Sequence, residues 1–318
     1  MKLCRVCKKI SSKKIGEYKP YLEYKFDIFE CENCGSRFVN RDKAIFEKLH
    51  RNKKSPYRFQ DDLLEKIKKY YDKNDIKNIE KTLCNVTKYK FIVNNVNNNY
   101  SINNKILEIG CSKGYLTSYF LLKGYNIIGT DISDTAIKKS ISNFGNHFKL
   151  IKNNNFSEFG KFDMIYHAGT IGCVDDPINF TKKLLDILNP NGILLFNVPD
   201  IQAVKEMNAI WTKTPPPDLI TIFSEKIWKK YFSKKYNLRI SYRPYDYYLN
   251  FKKNLMIFLN KPYLNPNIKS IFNTNDRKNK LLFNKMKNLL LKILTPFTYK
   301  FLKKYRNEYG MFVCITKK

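Results

Sequence analysis

Four cysteines near the start of the chain form two C-x2-C pairs, Cys4/Cys7 and Cys31/Cys34, separated by 23 residues. Each pair can bend into a knuckle presenting two thiolates to one ion. Four thiolates complete a tetrahedral Zn2+ site with no open position, so the expected role is structural. A second group lies in the run Lys105-Ile106-Leu107-Glu108-Ile109-Gly110-Cys111-Ser112-Lys113-Gly114, with Asp131 following 21 residues after Gly110. An apolar run, a glycine turn and a helical pattern from Tyr115 make the first unit of a nucleotide-binding α/β sheet. Gly110 permits the sharp turn, and Gly114 lets a helix start close to a ligand. An acid closing the second apolar run, Tyr125–Thr130, can accept from both hydroxyls of a ribose, which implies an adenosine ligand. A dinucleotide fingerprint would place glycine at 112 and 115, where Ser112 and Tyr115 stand, and this weakens an NAD or FAD reading. Of the three histidines, only His167 falls at the end of a core strand, where a neutral imidazole could act as a general base or simply hydrogen-bond the loop.

The elements that must position these groups follow in order. Ser133 is a good N-cap for a helix reaching about Phe144. His147–Ile151 reads as a third strand, followed by the loop Asn153-Asn154-Asn155-Phe156. Phe162–His167 is a fourth strand, and the loop Ala168–Pro177 lies at its carboxyl edge. Asp176 and Pro177 suit N-cap and N1 of the next helix, which is expected to end in Asn189-Pro190-Asn191-Gly192 before a strand Ile193–Val198. Residues 199–223, with Pro215-Pro216-Pro217, break regular structure and are expected to form a lid on the acceptor side. A helix with Trp228 and Phe232, a strand-like stretch from Tyr236 and a last strand Met311–Thr316 complete the pattern.

This order of motifs resembles class I S-adenosylmethionine-dependent methyltransferases over roughly residues 105–200. The family signature is an acid two residues before a Gly-rich turn and an acid closing the second strand; here these are Glu108, Gly110, Gly114 and Asp131. Phe162-Asp163-Met164-Ile165 resembles its "FD-x-I" strand, and Leu188-Asn189-Pro190-Asn191-Gly192 its "L-x-P-x-G" passage. The resemblance implies a Rossmann-like α/β sheet of six parallel strands plus one antiparallel, carrying a small N-terminal zinc ribbon. It also implies a donor-binding set of Glu108, Gly110, Cys111, Gly114, Asp131, Ile132, Asn154, Asn155, Phe156, His167 and Ala168. The family usually places Asp where Asn153–Asn155 stand; an Asn carbonyl can accept from the exocyclic amine of adenine, and Phe156 can pack on its ring. In quinone O-methyltransferases a similar loop reads E-H-V-x-D-P, but Gly172-Cys173 replace Glu-His, so those roles do not transfer.

The expected divisions are a zinc ribbon at 1–40, a helical linker or lid at 41–99, and a methyltransferase domain at 100–318 with a basic helical insertion at about 251–308. His50 and Tyr57 stand in a polar loop that either covers the donor or is a solvated connection. The seven asparagines of residues 94–104 suggest a loop. The formal charge of +31 suits an anionic partner such as RNA or a lipid surface, or else reflects Lys, Asn and Ile enrichment throughout the chain. Residues 277–306 carry ten Lys/Arg and no acid, with apolar positions at helical spacing. Such a helix either lies on an anionic surface, giving peripheral contact at the inner face of a membrane, or packs on the domain. With no secretory or spanning segment, a cytoplasmic enzyme is expected. The leading reading is O- or C-methylation of a small molecule or glycan; RNA methylation is the alternative, and a cofactor-binding zinc-ribbon adaptor is the non-enzymatic one.

Overall fold

The computed structural model describes residues 1–21, 24–40, 45, 58–151, 155–245, 251–263, 289–290, 293–294 and 296–318. Its chain divides into two compact units: Met1–Pro56, Val198–Ile227 and Ser241–Met311 form one, and Tyr57–Asn197, Trp228–Ile240 and Phe312–Lys318 the other.

The first unit contains a five-stranded sheet ordered β1-β2-β3-β4-β10. β1 (Lys2–Leu3), β2 (Ile10–Tyr21), β3 (Tyr24–Cys31) and β4 (Arg37–Phe38) come from the ribbon. β10 (Thr221–Ile222) pairs antiparallel with β4, Thr221 opposite Phe38. Residues 199–223, expected as an acceptor-side lid, therefore supply a strand and a helix to the ribbon's unit. The cause is burial: Val204, Trp211, Leu219, Ile220 and Ile222 share an apolar core with Phe26, Ile28 and Val39, and apolar area removed from water outweighs the local break made by the prolines.

Most of a mostly parallel seven-stranded sheet, ordered β11-β12-β9-β8-β5-β6-β7, lies in the second unit. The strands are β5 (Ile106–Ile109), β6 (Ile127–Asp131), β7 (Phe148–Leu150), β8 (Phe162–His167), β9 (Leu188–Val198), β11 (Asn237–Pro244) and β12 (Arg306–Thr316). From β7 through β6, β5 and β8 to β9 every pairing is parallel. The chain steps outward from β5 to one side and then the other, so the tips of β5 and β8 flank the switch point where such sheets bind ligands. β9 begins at Leu188, before the Asn-Pro-Asn-Gly run assigned to the helix end; the register slips between Phe162 and Met164 to absorb those residues as a bulge.

Helices α1 (Arg58–Tyr71), α2 (Ile76–Cys84) and α3 (Thr87–Asn99) precede the sheet. Their buried positions, Leu63, Leu64 and Ile67, then Ile79 and Leu83, then Ile92, Val93 and Val96, recur at helical spacing and join one core with Ile106, Leu116 and Tyr166. This corrects two expectations. The stretch assigned to a linker is, from residue 58, part of the sheet's own unit, and the asparagine-rich run is the end of a helix up to Asn99. His50 and Tyr57 lie outside the described residues. After β5 come α4 (Tyr115–Leu122), α5 (Asp134–Phe144), α6 (Pro177–Asp186), α7 (Ile201–Glu206), α8 (Glu225–Phe232) and α9 (Phe251–Phe258). Ser133 Oγ accepts from Ala136 N (3.3 Å), and Asp176 Oδ1 from Asn179 N (3.3 Å), as caps should. Much of the expected basic insertion, 264–288, lies outside the described residues. Among the described residues no helix is long and apolar enough to cross a membrane.

Candidate active site and metal centre

The turn after β5 is held by backbone bonds to the neighbouring strand: Gly110 N and Cys111 N both donate to Thr130 O, at 2.7 and 2.9 Å. Gly110 sits at φ +73°, and a Cβ there would stand 2.3 Å from Thr170 Oγ1. That hydroxyl donates to Ile109 O (3.2 Å), so the loop after β8 closes directly over the turn. Only glycine fits. At the tip of β6, Asp131 accepts from Ser112 N (2.8 Å) through one oxygen and from Ser133 N (2.9 Å) through the other. A carboxylate offers about four lone-pair directions, so each oxygen keeps capacity for another donor. The next residue, Ile132, is 72% exposed, an apolar side chain left in water beside the acid. Gly114 is also required by packing: its Cβ would meet the Phe148 ring at 2.7 Å, and φ is +85°.

Glu108, only 3% exposed, accepts from Thr117 Oγ1 (2.5 Å) and Tyr166 OH (3.2 Å). Burial pushes its carboxyl up to about 7 despite those two donors. Lys88, in the first turn of α3, donates through Nζ to Ala168 O at 3.0 Å. Burial lowers its pKa, and the charges of Cys173 and Glu108 oppose that shift. Sequence reading missed Lys88, Thr117, Tyr166 and Thr170. Nothing in the residue pattern marks them; α3, α4, β8 and the loop after β8 bring them to β5 only through tertiary packing.

The remaining expected residues scatter. His167 is fully buried, its ring stacked on Phe196 at 4.6 Å, and neither ring nitrogen has a hydrogen-bond partner among the described residues. Burial drops its pKa to about 3, so the imidazole is neutral. With no exposed edge to meet an acceptor, it does not serve as the expected base. Phe156 is buried edge-on against Phe180 (5.6 Å), which leaves no free face for adenine. Asn155 is exposed and accepts from Ser157 Oγ (2.8 Å), and Asn154 lies outside the described residues. Cys111 is buried, its thiol directed at Ser112 O (3.7 Å) and pushed up in pKa by burial; it packs in the core.

In the ribbon, the Sγ atoms of Cys4, Cys7, Cys31 and Cys34 all lie within 4.8 Å of one another, and all four residues are buried. Cys4 and Cys34 are 3.7 Å apart, Cys7 and Cys31 3.6 Å. A tetrahedron with metal–sulfur bonds of about 2.3 Å has edges of about 3.8 Å, so this donor set fits such an ion. N–H groups already point at the sulfurs: Val6 N (3.4 Å) and Cys7 N (3.5 Å) at Cys4, and Asn33 Nδ2 (3.3 Å) at Cys7. Donors of this kind stabilise thiolate rather than thiol. Lys8, at φ 56°, and Gly35, at φ +71°, form the two knuckle turns.

Residues 40–242 match the family model described as "Methyltransferase domain". No curated protein matches the chain. Among solved structures, PKMT2 from Rickettsia typhi is similar at 25% identity, with 34% of this chain and 23% of that one covered and a TM-score of 0.30. This chain thus spans under a quarter of that protein's length. An S-adenosylmethionine-dependent methyltransferase from Clostridium acetobutylicum is similar at 14% identity, covering 49% of this chain and 82% of that one, with a TM-score of 0.40. TehB from Haemophilus influenzae is similar at 13% identity, covering 72% and 62%, with a TM-score of 0.42. With the family model spanning well over half of the residues, and the glycine turn and Asp131 both inside it, the chain belongs to the methyltransferase-domain family.

Proposed function

We propose that this enzyme transfers a methyl group from S-adenosylmethionine to a small-molecule or glycan acceptor. Asp131 takes the ribose hydroxyls, Ile132 packs on adenine, Gly110 gives the donor its close approach, and Glu108 faces the ammonium of the donor's amino-acid end. The observation carrying this reading is Asp131: a carboxylate fixed by two backbone N–H groups at the tip of β6, with acceptor capacity left over beside an exposed isoleucine. The donor's sulfonium leaves as a neutral thioether, so the protein has to align the acceptor, exclude water and let a proton depart. Calorimetry with S-adenosylmethionine, its demethylated product and NAD tests the donor. Binding of the first two and not NAD is expected; NAD alone binding would overturn the reading. Label from methyl-labelled donor appearing in the small-molecule and glycan fraction of a lysate tests the acceptor.

Cys4, Cys7, Cys31 and Cys34 hold one structural Zn2+ in this proposal, supported by the fit of their spacing. RNA is the second acceptor reading, favoured by the net charge of +31. A peripheral lipid contact is supported by Leu289, Leu290, Ile293, Phe297 and Phe301, each at least half exposed in a stretch that also carries Lys300, Lys303 and Lys304. Both would weaken steeply with salt, because counterions are released or charge is screened. Negligible binding to RNA and to anionic vesicles at low salt would leave the charge a matter of composition.

A further inference from the structure

Lys88 belongs to no part of the glycine-turn motif and to no strand, yet its ammonium stands at the carboxyl edge of the sheet. It donates to Ala168 O at 3.0 Å, and a Cβ built on Gly169 would stand 3.0 Å from Nζ. Gly169 sits at φ +95°, so a glycine is needed there both for the turn and for the lysine's room. Nζ also lies over the Tyr89 ring, 5.2 Å from its centroid. An ammonium has three N–H donors, and among the described residues one carbonyl with one ring face does not satisfy them. Lys88 is partly buried, and shielding its charge from water costs free energy that such an ammonium normally recovers from an anion. The carboxylate whose charge acts on it, beside the Cys173 thiol, is Glu108, which accepts from Thr117 and Tyr166.

Strand order shows what arrives there. β5 lies between β6 and β8. Asp131 ends β6, Gly110 follows β5, and Ala168 follows β8. A donor with its ribose at Asp131 and its chain crossing Gly110 directs its far end at the tip of β8. That end is an amino-acid zwitterion, and the protein offers it a cation at Lys88 and a buried carboxyl at Glu108. We propose that Lys88 binds the carboxylate of the donor's amino-acid end, opposite Glu108 facing its ammonium. This deepens the donor reading above and rests on it. Lys88 thereby fixes the methionyl chain, and with it the sulfonium, against the turn. A lysine that merely tied α3 to the loop after β8 would be indifferent to the donor's carboxylate.

The test compares two ligands that differ only in that group, S-adenosylmethionine and its decarboxylated form, by calorimetry on the full chain. The parent is expected to prefer the carboxylated ligand by roughly ten- to a hundredfold, the range for a charge-assisted contact in a closed site. Lys88→Met should bring the ratio close to one, mostly by weakening S-adenosylmethionine, and Lys88→Arg should keep much of the preference. Because the readout is a ratio within one preparation, a partly unfolded variant does not mimic the result. A parent with no preference, or a Lys88→Met variant that keeps it, overturns the proposal. If the parent binds neither ligand, the donor reading falls and takes this one with it.

Discussion

Asp131 has two duties, and they separate experimentally. Its oxygens take the backbone N–H groups of Ser112 and Ser133, so Asp131→Ala leaves two partly buried donors unpaired and should cost about 1–3 kcal/mol of stability. The same variant should weaken the donor roughly ten- to a hundredfold by calorimetry. An unchanged melting temperature would remove the structural duty, and unchanged affinity the binding one. Glu108 makes a prediction about pH. Its folded pKa, about 7, lies above the ordinary 4.5, so the folded state holds a proton that the unfolded chain has released in between. The folded state is therefore favoured most below the ordinary value, and that contribution is lost as pH rises through about 7. Glu108→Gln keeps the shape without the charge. Urea titrations at pH 5.5 and 8 should show the parent losing stability relative to this variant at the higher pH. A parallel pH response of the two would place the ionisation elsewhere. Lys88, Tyr89, Cys111, Asp131 and Tyr166 are titratable groups around it, and Glu108→Gln leaves all of them in place.

Whole elements were legible in the sequence wherever their signals are local. The strand Phe162–His167 and the helix caps Ser133 and Asp176 fall where apolar runs and capping chemistry place them, because each depends on neighbours within a few residues. The end of α3 was not legible. Asparagine is a poor helix former, and tertiary contacts, chiefly of Ile92, Val93 and Val96 buried against strands and helices distant in sequence, keep the run helical. His167 likewise sits at the expected strand end, but whether a strand-end side chain faces a cleft or a core depends on what covers that sheet face; here Phe180 and Phe196 do. The two glycines bounding α4 make the same point quantitatively. Both have left-handed backbones, Gly114 at +85° and Gly124 at +83°, but a Cβ meets the Phe148 ring at the first and nothing within 4 Å at the second. Gly124→Ala should cost only about 1–2 kcal/mol of backbone strain. Gly114→Ala adds overpacking of about 1–3 kcal/mol. Thermal melts should rank the variants in that order; equal losses would mean that Phe148 gives way freely.

For the molecule as a whole, the decisive fact is that the ribbon does not end at residue 40. Its sheet takes in Thr221–Ile222, and the apolar core beneath it joins Phe26, Ile28 and Val39 to Val204, Trp211 and Ile220. Arg37 adds hydrogen bonds to Ala209 O (2.9 Å) and Ile210 O (3.1 Å). A ribbon hung on a linker would lose its own strands on losing the metal and disturb nothing else, whereas a ribbon whose core is shared with residues 198–227 should pass the loss on to them. The two knuckles carry the turns at Lys8 and Gly35, and Gly35 N bonds back to Cys31 O at 2.7 Å, so releasing the ion frees the ends of β3 and β4 together. β4 is the strand on which β10 lies. Chelation of the purified protein under reducing conditions, followed by hydrogen exchange, should therefore raise exchange in residues 1–40 and in 198–227 as one group. The strands β5, β6 and β8, whose core draws on Leu63, Val96 and Phe120 instead, should keep their protection. Increased exchange confined to 1–40 would mean that the shared core survives without the ion. Purified protein that contains no zinc, yet shows full protection across the ribbon, would mean that the four cysteines pack as thiols and hold no metal.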